Sequence, residues 1–170
     1  MAPASIITLL SGLSAGADYF EGAISSSAMG YERLNRARHK RATTNTNQSD
    51  IDAAVRGATT GIFYGKGEVC AAGSRLLVDS RIKNEFIDKV AARARKIVPG
   101  DPMDPKTRLG AISSKGQMES VLRYIDTASK EGASLVAGGH RADIGTGKGF
   151  FLEPTVFADV TPSMTIAREE

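Results

Sequence analysis

From Asp50 onward the apolar residues of this chain switch repeatedly between two periods, and that alternation constrains the fold more than any other feature. Ile51, Ala54, Val55, Ala58 and Ile62 recur at helical spacing on one face. Arg75-Leu76-Leu77-Val78-Asp79 is then an apolar run of strand length. Ile82, Phe86, Ile87, Val90, Ala94 and Ile97 form a second helical stripe. Arg93, Arg95 and Lys96 are expected in its last turn, where cations suit the helix dipole. Pro99-Gly100-Asp101-Pro102 ends that segment in a turn. Ser114 with Gln117 three residues on is a capping box, opening a helix whose core face is Met118, Val121, Leu122, Ile125 and Ala128 and which Gly132 closes. Residues 133–137 and 150–157 read as strands, the first broken by Gly138-Gly139 and the second marked by Pro154 as an edge or a break. Helices alternating with strands predict an α/β fold, a mainly parallel sheet with flanking helices.

The stretch Gly65-Lys66-Gly67-Glu68-Val69-Cys70-Ala71-Ala72-Gly73-Ser74-Arg75 sits at the hand-over from the first helix to the first of those strands. It holds the single cysteine, flanked by glycines and small residues. Such a setting leaves room for a ligand to reach the thiol and lets the main chain aim an N–H at developing negative charge, both of which attack on a carbonyl requires. The competing reading is a buried cysteine acting as a small inert hydrophobe. Arg75 reads as a structural anchor of the loop rather than a catalytic group.

A chain of 170 residues, 41% hydrophobic and 24% charged, suits one globular domain with its own core. A single cysteine forms no internal disulfide and fits a reducing compartment. Ile6-Ile7-Thr8-Leu9-Leu10 followed by small residues hints at a signal peptide. It has no basic flank, however, and the apolar run is short and broken by Ser and Gly, so a cytoplasmic chain without a membrane segment is expected. Arg33, Arg36, Arg38, Lys40 and Arg41 face one acid, Glu32, so this window alone exceeds the net charge of +3 of the whole chain. The basic charge is therefore local and runs into the polar loop 43–49, without the aromatic interleaving or zinc-ligand spacing of a nucleic-acid module. No specific nucleic-acid partner and no metal site are expected, and residues 31–49 are expected to be solvated and protease-sensitive. The glycine-rich turn 145–149 precedes no helix start, so it is not a dinucleotide fingerprint.

Four stretches carry a resemblance to a known family. FYGKGEVCAAGSRLLV (63–78), VPGDPMDPKTRLG (98–110), GASLVAGG (132–139) and FLEPTV (151–156) resemble the aldehyde dehydrogenase superfamily, as does the terminal Glu169-Glu170 pair, which matches the start of that family's E-E-I-F-G-P motif. The resemblance runs from Ser49-Asp50 to Glu170. It implies a partial catalytic domain over residues 49–170, with residues 1–48 an unassigned, atypical and partly flexible segment. It also implies that Cys70 is the nucleophile and that Glu170 contacts the cofactor ribose. The implied substrate is a small-molecule aldehyde, oxidised to an acid through a cysteine thiohemiacetal and thioester, with NAD or NADP as hydride acceptor and a homo-oligomer as the full-length assembly.

The family's E-L-G-G-K stretch, whose Glu is the general base, and its G-S-x-x-x-G dinucleotide turn find no match in the chain. Glu68 is the nearest carboxylate to Cys70 in sequence, but residues two apart in a loop need not converge, and the family often has Gln there. Glu68 is therefore not assigned as the base. The alternative is a catalytically dead fragment that serves as an interaction or assembly module. A basic-armed nucleic-acid binder is a third reading.

Overall fold

The computed structural model describes residues 4–10, 48–68 and 72–169. In chain order the elements are β1 (Ala4–Leu10), α1 (Gln48–Phe63), a 3-10 turn (Tyr64–Gly67), β2 (Arg75–Asp79), α2 (Lys83–Ala94), α3 (Lys115–Lys130), β3 (Ser134–Ala137), β4 (Thr155–Val160) and a last turn of helix, α4 (Thr165–Arg168). The helical stripes become the buried faces expected of them. Ile51, Ala54, Val55, Ala58 and Ile62 of α1 are all buried, as are Phe86, Ile87, Val90 and Ala94 of α2 and Met118, Val121, Ile125 and Ala128 of α3. Ser114 caps α3 through its hydroxyl, which accepts from the Gln117 amide at 3.1 Å. Gly132 follows the helix at a φ of +95°, the left-handed conformation that ends helices. The second helix stops at Ala94, so Arg93 alone of the three expected cations lies in its last turn.

The four strands form one sheet in the order β2-β1-β4-β3, and every pairing is antiparallel. This corrects the expectation of a mainly parallel sheet. The physical reasons are the insertion of β1 and the helix-free connection from β3 to β4, which pair antiparallel with each other. Both β2 and β4 run against β1, so they share a direction with each other, as alternating helices and strands require, but β1 is inserted between them. Among the described residues the parallel contact outside the sheet is an isolated bridge between Pro99 and Leu109. The apolar opening run is thus a central strand. The basic cluster 31–41 lies outside the described residues.

Helices cover both faces of the sheet, which makes the architecture α/β. One core joins α1 and α2 to Leu76 and Val78 of β2, Ala137 of β3, and Val156 and Ala158 of β4. The other joins α3 and α4 to Phe157 and Val160 of β4. The alternation along β4 explains Val156, Phe157 and Ala158, because successive side chains point to opposite faces. Val160 breaks that parity through a bulge. Two steps on β1, from Ile6 to Thr8, oppose three on β4, from Val160 to Phe157. The extra residue flips Val160 to the α3 side.

Candidate active site

The segment holding Cys70 is fixed on both sides of residues 69–71. Upstream, three successive residues adopt left-handed backbone: Gly65 at φ +62°, Lys66 at +66° and Gly67 at +71°. For the glycines this costs little, whereas for Lys66 it is a strained conformation that the surroundings must hold. Lys66 Nζ lies 2.9 Å from Glu68 Oε2. The other carboxylate oxygen, Glu68 Oε1, accepts the main-chain N–H of Ser113 at 2.9 Å. The Glu68 amide itself closes back on the Gly65 carbonyl at 3.3 Å. Downstream, the Gly73 amide donates to the Gly61 carbonyl at 3.2 Å, drawing the chain back to the end of α1 before it enters β2. Ala72 and Ser74 are buried there. Cys70, the nucleophile that the sequence implies, falls between these two anchors and lies outside the described residues.

Arg75 opens β2 and reaches the far end of the described chain. Its guanidinium donates to the main-chain carbonyl of Glu169 at 2.8 Å. Tyr124, on α3, donates its hydroxyl to Glu169 Oε2 at 2.9 Å. That hydrogen bond, with burial and the carboxylate's charge beside it, holds the phenol above its usual range. Glu170, the implied cofactor contact, lies outside the described residues. Its neighbour Glu169 is tied both to the strand that follows Cys70 and to α3.

The structure supports the reading of Arg75 as an anchor and leaves Glu68 engaged on both carboxylate oxygens, a poor state for a general base. Sequence reasoning missed Ser113, Lys66 and Tyr124 as neighbours of these segments. Ser113 contributes a main-chain amide, which no residue type announces, and the contact spans 45 positions. The Tyr124 contact also spans 45 positions.

The glycine-rich turn does not form a phosphate cradle. Gly145, Gly147 and Gly149 all have positive φ. The chain after them runs through a bridge at Leu152 into β4, with no helix N-terminus to receive a pyrophosphate. Among the described residues no helix is long and apolar enough to cross a membrane.

The sequence profile of the Aldehyde dehydrogenase family matches residues 40–170, starting nine positions upstream of the Ser49-Asp50 at which the resemblance begins. The betaine aldehyde dehydrogenase of Rhizobium etli is 48% identical over 122 residues, 72% of this chain and 25% of that protein. An aldehyde dehydrogenase of Pseudomonas aeruginosa superimposes with a TM-score of 0.67 at 47% identity, over 71% of this chain and 24% of that one. The betaine aldehyde dehydrogenase of Staphylococcus aureus, solved as a double mutant with NAD+ and a BME-modified cysteine, superimposes with a TM-score of 0.69 at 38% identity. That match covers 71% of this chain and 25% of the other. The chain thus spans about a quarter of the length of the relatives it matches.

Proposed function

This chain belongs to the aldehyde dehydrogenase family, and we propose that it carries the nucleophile of an NAD- or NADP-dependent aldehyde oxidation. The observation that supports this reading is the position of Cys70, in a family-matching segment bracketed by two backbone anchors at a helix-to-strand junction. The thiolate of Cys70 attacks the aldehyde carbon, and a main-chain N–H beside it stabilises the oxyanion of the resulting thiohemiacetal. A nicotinamide cofactor, held by a complete site, would supply the hydride acceptor that oxidation of the thiohemiacetal to the thioester requires. Water, activated by a base, then releases the acid. The base is not Glu68, whose two oxygens already hold Lys66 and Ser113.

Among the matched positions, Glu170 is the one residue that the family resemblance assigns to the cofactor, as its ribose contact. As a free-standing polypeptide this sequence is expected not to turn aldehydes over. The names of its relatives make betaine aldehyde the first substrate to test. The cytoplasm suits a working thiol, since a reducing compartment keeps it free. The β2 edge, with Leu77 42% exposed, offers a surface that a second copy or the remainder of a longer chain would cover.

The test is the labelling of Cys70 by iodoacetamide in native protein at pH ~7, where an ordinary thiol with a pKa of about 8.5 reacts slowly. Labelling faster than that of a small-peptide thiol supports the nucleophile, and it should vanish in Cys70→Ala. Resistance until the chain is denatured would make Cys70 a packing residue and leave the assembly-module reading in its place.

A further inference from the structure

The two outer strands of the sheet are finished differently. β3 is short, and its pairing with β4 carries a bulge. Leu135 and Ala137 oppose the consecutive residues Phe157 and Val156, which leaves Val136 as the extra residue. The carbonyl of Val136 is held by the guanidinium of Arg95, the residue that follows α2. Short length, a bulge and a cation on the backbone are features that keep an outer strand from recruiting another. β2 has no such bulge. Its five residues pair with β1 in unbroken register, from Asp79 opposite Ala4 to Arg75 opposite Thr8. Among the described residues no strand lies on its other side. Leu76 and Val78 are buried under α1 and α2, while Leu77 between them is exposed on the opposite face.

The order of residues along β2 indicates what this edge would accept. Arg75-Leu76-Leu77-Val78-Asp79 carries opposite charges at its two ends and is apolar between them. Run antiparallel against itself about Leu77, the strand sets position 75 of each copy against position 79 of the other. Leu76 then meets Val78, and Leu77 meets its own equivalent. Arginine stands opposite aspartate at both ends, whereas in-register parallel pairing would set like charge against like. The Arg75 guanidinium donates to the Glu169 carbonyl, and it carries donors enough to serve a further acceptor.

We propose that β2 is a self-recognition edge, through which two copies of this chain pair as antiparallel strands about a two-fold axis at Leu77, merging two four-stranded sheets into one. Of the occupants open to this edge, the proposal commits to a second copy. It does not depend on Cys70 being the nucleophile. A five-residue edge is small beside a standard interface, so the dimer is weak, with a dissociation constant of roughly 10–100 μM.

The test is sedimentation velocity of the full chain from about 1 μM to about 300 μM, a range that brackets such a constant. The native chain should pass from monomer to dimer across it. Leu77→Lys, at an exposed position, sets two like charges on the axis and should abolish the dimer while leaving the urea midpoint unchanged. Arg75→Glu and Asp79→Arg each set like charges opposite one another at both ends, and each alone should weaken the dimer about tenfold. Mixed in equal amounts, the two variants restore opposite charges at both ends and should form a heterodimer of near-native strength. Recovery on mixing cannot come from misfolded chains, so it remains a fair test even where Arg75→Glu loses the contact with Glu169. A native chain that stays monomeric throughout would overturn the proposal and leave the edge to the remainder of a longer chain. A dimer indifferent to Leu77→Lys would overturn it by placing the interface on another surface. Loss of the dimer in Leu77→Lys with no recovery on mixing would overturn the antiparallel register.

Discussion

Asp159 stands at a φ of +56° within β4, a left-handed conformation that aspartate adopts more readily than most side chains. It is the extra residue of the bulge that turns Val160 toward α3. Its carboxylate is held by Lys83 and, at 2.8 Å, by the hydroxyl of Ser134. The Lys83 contact, followed by the Ser134 bond, keeps it below the ordinary carboxylate range. A depressed carboxylate stabilises the fold at pH values above its unfolded value and loses that contribution as pH falls through the folded one. The group is half exposed, so the contribution is under about 1 kcal/mol. Asp159→Asn keeps a side chain that tolerates the left-handed backbone while removing the charge. The variant should therefore unfold at slightly lower urea than the parent at pH ~7, and the gap should close as the pH is taken toward about 2.

At the scale of elements, α1 carries a reserve of stability. Gly57 lies in its interior, and a Cβ added there would meet nothing within 4 Å. Gly57→Ala is expected to stabilise the chain by about 0.5–1 kcal/mol, read as a higher urea midpoint at unchanged slope. The helices were legible in the sequence because a 3.6-residue stripe needs no knowledge of the partner it packs on. The stripe of α1 named the side chains that are buried, and the Ser114 cap could be read from four consecutive residues. The sheet was harder. A short apolar run such as Arg75–Asp79 announces a strand but not its neighbour, and its neighbour is β1, some 70 residues upstream. The same limit applied at the candidate site. The helix-to-strand hand-over around Cys70 was visible locally, whereas the Glu68 clamp and the Arg75 tie depend on main-chain groups of Ser113 and Glu169 brought there by the fold. Left-handed backbone at Gly65 and Gly67 is what glycine permits, but nothing in the residue type marks Lys66 for it.

For the molecule as a whole, β1 holds the sheet together. Thr8 pairs with Arg75 of β2 at the end of one ladder and with Phe157 of β4 on the other side, so its backbone lies between two strands. Proline there would remove a donor from a central strand and uncover the edges of both neighbours. Thr8→Pro is expected to abolish cooperative unfolding and shift the protein toward larger species on size exclusion. Thr8→Val, which keeps the N–H, should behave like the parent. The placement of β1 also sets a clock on biosynthesis. It leaves the ribosome before the strands it pairs with, and its partner β4 is made about 150 residues later. Until then β1 must wait, apolar and unpaired on one side, and closing so long a loop makes the final pairing slow compared with helix formation. The interval between synthesis of β1 and of β4 is therefore when a nascent chain of this design is most exposed to capture by chaperones or by other copies of itself.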